Sequence, residues 1–113
     1  MNRRLMVALL SLGLALSLAP GVSFAQDDHL AQAISHTREA VVAGHEGNLG
    51  ALVQHATTAL EHADAAQQEQ PNTYVRAGIQ HLKSAIKHGK KRHIAAAVNR
   101  ATLALHRFKH ALR

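Results

Sequence analysis

The chain of 113 residues has no cysteine. Disulfide staples, thiolate metal sites and cysteine nucleophiles are therefore excluded. There is no tryptophan, and Phe24, Tyr74 and Phe108 are the only aromatic residues among the standard three types. A core must then be built from Ala, Leu, Ile and Val, and the stacking platforms of single-strand nucleic-acid binders are missing. Both methionines, Met1 and Met6, fall in the first six residues and no haem-attachment motif is present, which argues against a haem bundle. Residues 71–113 contain no carboxylate at all. No phosphate loop and no paired nucleophile and base are visible, so an enzyme is not expected.

What is present begins with a leader. Arg3 and Arg4 precede the apolar run 5–18, Pro20 and Gly21 break it, and Ser23-Phe24-Ala25 is a small-x-small cleavage site. This reads as a secretory signal over residues 1–25. The expected mature domain is 26–113, exported to the periplasm. A domain of about 88 residues is short of core, so a metal or oligomerisation would help it.

The segment from Ile34 to His62 returns forty-five residues later as Ile79 to Arg107, with about a third of positions identical. His36 falls on His81, Gly44 on Gly89 and Val53 on Val98. Such an offset marks an internal duplication. Each copy has two segments of helical periodicity around a glycine-containing break. Helix one carries Leu30, Ala33, Ile34, Ala40 and Val41 after the acidic Asp27-Asp28; helix two runs from Leu49 to Ala63. Pro71-Asn72-Thr73 separates the copies, helix three runs from Val75 to Ile86, and helix four from Ile94 to Leu112. The expected fold is all-α, an up-down-up-down four-helix bundle of two duplicated hairpins.

Ten histidines are distributed over this plan. With the core stripe labelled a, d and e of a heptad, the residue before each a position sits on the shoulder of the core. His29, His36, His55, His62, His81, His88 and His93 all take that slot. Asn48, Tyr74, Arg100 and Arg107 take it too. Histidines seven apart on one helix are about 10.5 Å apart along the axis and cannot share an ion. A shared site must form between shoulder residues of neighbouring helices, or each histidine must bind alone. His106 and His110, four apart, make one local chelate, and His45 lies in the first turn. All ten are candidate metal ligands. Imidazole suits Cu(II), Zn and Ni, and binding should weaken in acid.

The stretches GIQHLKSAIKHGKKRH (78–93), LVQHATTALEHADAA (52–66) and ISHTREAVVAGHEG (34–47) resemble the small metal-binding protein family of the bacterial periplasm. The resemblance implies a His-rich helical bundle that binds copper and other divalent metals. It also implies that His36, His55, His62, His81, His88 and His93 take the metal-binding positions. Arg100 and Arg107 depart from the pattern, as do Ala43 and Asn48.

Charge divides the chain. Residues 26–70 hold all seven carboxylates and one cation, Arg38, whereas residues 71–113 hold ten Lys and Arg. The halves should attract each other, and the basic half offers a surface to an anionic partner. Because of the field, the histidines of the first copy should fill with metal before those of the second. Nucleic acid is not an expected partner, and a monomer or weak dimer is. The alternative function is a basic helical adaptor or chaperone-like protein with solvated histidines.

Overall fold

A computed structural model describes residues 25–113, with side chains from Asp28 onward. The expected signal lies outside the described residues. Alanine-rich segments with apolar residues at helical spacing form four helices, α1 (Ala25–His45), α2 (Leu49–Glu69), α3 (Thr73–Lys90) and α4 (Ile94–Ala111). Among the described residues there is no strand. Helix α1 packs on α2 and α4, and α3 packs on α2 and α4. This is the square of an up-down-up-down bundle.

Among the described residues, eleven of the eighteen buried apolar side chains are alanines. They occupy most of the inward positions and let the helices approach closely. Leu52, Leu82 and Phe108 are the large side chains fully buried between them. The one buried polar residue among those described, Thr37, continues the stripe between Ala33 and Ala40; its hydroxyl donates to the Ala33 carbonyl at 2.6 Å, so nothing polar is left unpaired there.

The duplication is visible in the contacts. A Cβ on Gly44 would overlap Val98 of α4, and a Cβ on Gly89 would overlap Val53 of α2. Both members of each pair are forty-five residues from their counterparts, so the hairpins meet through one contact used twice. Both hairpin turns also close in the same way. The N–H groups of Asn48 and His93 donate to the carbonyls of Ala43 and His88, each at 2.9 Å. Those of Gly47 and Arg92 donate to Gly44 and Gly89, each at 3.0 Å. This is the Schellman pattern, which needs a left-handed residue after the helix. Gly47 meets it with φ +80°; its counterpart Arg92 has φ +65°, a conformation that costs a non-glycine residue about 1–2 kcal/mol.

The caps differ in an informative way. Asn48 caps α2 by accepting from Ala51 N–H at 3.0 Å, and Asn72 caps α3 by accepting from Tyr74 and Val75 N–H. His93 stands at the same point before α4 and makes no side-chain cap bond. Its ring lies instead beside His88, centroids 5.9 Å apart.

Helix α1 starts at Ala25, which puts the acidic pair expected at its N-terminus, Asp27 and Asp28, in its first turn. Two expectations are corrected. Ile94 and Leu112, expected in the core, are 39% and 60% exposed. They stand at the two ends of α4, Ile94 as its first residue and Leu112 as its C-cap.

Candidate metal centre

The shoulder positions of α1 and α2 face each other along the groove between these antiparallel helices. Their histidines interleave in the order His29, His62, His36, His55. Ring centroids are 5.4 Å apart for His29 and His62, 5.9 Å for His62 and His36, and 5.8 Å for His36 and His55. The planes of His36 and His62 are within 3° of parallel. Two donor groups lie along this ladder. At one end His29 Nδ1 is 3.1 Å from His62 Nδ1, and His29 Nε2 is 3.9 Å from Glu69. At the other, Glu39 Oε1 lies 3.1 Å from His55 Nδ1 and 3.4 Å from His36 Nδ1.

His36, Glu39 and His55 form the one group of three among the described residues whose ligand atoms all lie within 4.8 Å of one another. Glu39 is not among the sequence candidates. It is three residues after His36 on the same helix, so His36-x-x-Glu39 is a signal that the histidine register alone passes over. An open cleft of about 400 Å³, lined by Arg38, Glu39, Val42, Glu46, Asn48 and His55, leads to the group from solvent.

The other candidates are placed differently. His81 lies on the α3–α4 shoulder, where Arg100 and Arg107 occupy the positions that histidines hold in the first hairpin. His88 pairs with His93. His110 stacks on Tyr74, centroids 5.4 Å apart. His45 and His106 are exposed and join no such cluster.

A family model described as small metal-binding protein matches residues 4–111. The chain belongs to the small metal-binding protein family. No curated protein matches it.

In this small metal-binding protein the chemistry of the α1–α2 groove fits a divalent ion. Two ligands on one ion, each bonded at about 2.0–2.2 Å, stand roughly 3 Å apart. The spacings of Glu39 to His55 and His36 are already close to that. His36 Nδ1 is a buried nitrogen with no hydrogen-bond partner. Its approach to Glu39 is near enough for charge attraction but is not aligned as a hydrogen bond, so a lone pair is left for a ligand. Two imidazoles and a carboxylate, with room for water, suit Cu(II), Zn or Ni.

Charge state matters here. Burial, then the neighbouring His29 and His36, hold the His62 pKa below the usual 6.5, against opposing pulls from Asp28 and Glu61. His81 is lowered by burial and then by Arg107 and Arg100; His88 by burial and then by His93, Arg100, Lys91 and Lys87. In each case the unfolded chain takes up a proton more readily than the folded one. Stability from these groups is complete above pH 6.5 and is lost as pH falls from there toward the lower folded values. The metal-free melting temperature should therefore be flat from pH 8 to 7 and decline below about pH 6.5. Thermal circular dichroism measures this, and a melting temperature that rises between pH 6.5 and 5 would contradict it.

Proposed function

We propose that this protein is a periplasmic metal-binding protein that sequesters or buffers divalent ions, Cu(II) first, with Ni and Zn as alternatives. It acts as a binder and not as an enzyme. The His36–Glu39–His55 group carries this reading: three donors of the right type, drawn from two helices, at spacings close to those of ligands on one ion. Family membership supports metal binding in general. The choice of copper rests on the imidazole-rich, cysteine-free donor set, and the periplasm on the leader pattern of residues 1–25.

The mechanism follows from the groove. Imidazoles line it, and the acidic first hairpin attracts cations toward it. Arriving through the open cleft, an ion meets the Glu39 carboxylate beside His55 and the unpartnered nitrogen of His36. His29 and His62, one ring further along, offer a second pair of donors. Because a proton competes for every imidazole, uptake is favoured at neutral pH and release in acid.

Equilibrium dialysis with elemental analysis tests the assignment. His55→Ala or Glu39→Gln should weaken the tightest Cu(II) equivalent tenfold or more, on the scale of losing one well-placed group at a metal site. His45→Ala and His106→Ala should not. Unchanged copper binding in both groove variants would refute the site.

The adaptor reading has one observation in its favour. Among the described residues, the Lys and Arg side chains of the second hairpin form no ion pair with a carboxylate. The basic hairpin is thus not spent on direct pairs with the acidic one.

A further inference from the structure

The two hairpins share a backbone plan, so each position in the first groove has a counterpart in the second. His36 maps to His81, Glu39 to Ser84, His55 to Arg100 and His62 to Arg107. The positions that set a carboxylate and two imidazoles around His36 thus carry a hydroxyl and two guanidiniums in the second hairpin. The lowering of the His81 pKa, by burial and then by Arg107 and Arg100, agrees with this placement. We propose that the α3–α4 groove, at His81, Ser84, Arg100 and Arg107, is a binding site for a phosphate-type oxyanion.

The chemistry of the groove is that of an anion site. Guanidinium groups present fixed forks of donors that match tetrahedral oxyanions bidentately. Residues 71–113 supply no carboxylate to compete for them, and neither arginine has an ion-pair partner among the described residues. Arg100, His81 and Ser84 are half-buried and Arg107 is exposed, so the groove holds one sheltered guanidinium and one at its solvent edge. Ser84 differs from Thr37, Thr57, Thr58 and Thr102. Their hydroxyls donate to the carbonyl four residues back; Ser84 makes no such bond and can donate outward. A divalent cation in the same place would face two fixed positive charges in a shared groove. One fold therefore presents a cation groove and an anion groove side by side, and the proposal for the second does not depend on which metal fills the first.

The test uses the full chain and residue-resolved NMR. Inorganic phosphate is titrated against chloride at matched ionic strength, following the His81 ring and the arginine Nε–H signals. Saturating shifts at His81, Arg100 and Arg107 are expected. The Arg100→Gln/Arg107→Gln variant should weaken binding at least tenfold, and Lys83→Gln/Lys87→Gln on the outer face of α3 should leave it within about twofold. Phosphatidylglycerol vesicles, with phosphatidylcholine as control, distinguish the source of the oxyanion. If these vesicles but not free phosphate engage the groove, and the arginine variant abolishes the effect, the ligand is a lipid headgroup. Shifts that never saturate, that spread evenly over Lys83, Lys87 and Lys90, or that survive loss of both arginines, with either ligand, would overturn the proposal.

Discussion

Replacing Phe108 by alanine is expected to destabilise the bundle by about 3–5 kcal/mol, the usual cost of emptying a fully buried aromatic site. Phe108 is the largest fully buried side chain, and its ring fills the space left by the missing Cβ of Gly78. In the first hairpin the same two positions are Ala33 and Ala63, both fully buried. The copies thus solve one packing problem in two ways, small with small or glycine with phenylalanine. Gly78→Ala alone forces the ring aside and should cost about 1–3 kcal/mol. The double variant Gly78→Ala/Phe108→Ala recreates the pairing of the first copy, so its loss should be smaller than the sum of the two by about 1 kcal/mol or more, within the usual range for touching residues. Denaturant unfolding of the four species reads this directly. Additive losses would show that Gly78 and Phe108 do not compensate each other.

The second large effect should come from exchanging groove residues. Ser84→Glu with Arg100→His and Arg107→His surrounds His81 with the carboxylate and two imidazoles that Glu39, His55 and His62 set around His36. It also removes two repelling charges. Dialysis against Cu(II) should then find one more tight equivalent than in the parent. At an effective dielectric of about 20, one unit charge roughly 8 Å from a divalent ion contributes about 4 kcal/mol before screening and about 1 kcal/mol or less once exposed and screened. Two such charges amount to at most about thirtyfold in affinity. The reverse exchange, Glu39→Ser with His55→Arg, should remove an equivalent. If the forward exchange adds no equivalent, local geometry rather than charge and donor type limits the second groove.

Much of this was legible before any coordinates. The forty-five-residue repeat and the heptad register defined the hairpins and placed seven histidines on shoulder positions, which the structure turns into groove linings. The pairing of Gly44 with Gly89 and of Val53 with Val98 was also in the alignment, but its meaning was not. A repeat marks residues that are kept, whereas which of them touch across the bundle depends on the packing of separate hairpins. Glu39 escaped because a shoulder register ranks residues by distance from the core. A carboxylate on a more exposed position reaches the groove through its side-chain length. The exposure of Ile94 and Leu112 was not legible because helical periodicity continues to both ends of α4 whether or not a neighbour covers them. The left-handed Arg92 was not read from the sequence, although its alignment with Gly47 carries the signal.

The paired Gly–Val contacts have a further consequence. The Gly44–Val98 and Gly89–Val53 contacts join one hairpin to the other, whereas His36, His55 and His62 in the first, and their counterparts His81, Arg100 and Arg107 in the second, belong to grooves within each hairpin. The chain therefore behaves as two interchangeable cassettes on a common dock. Substitutions in either groove leave the dock intact, so ligand preference in one half is free to diverge while the other half keeps both its own ligand and the shared architecture.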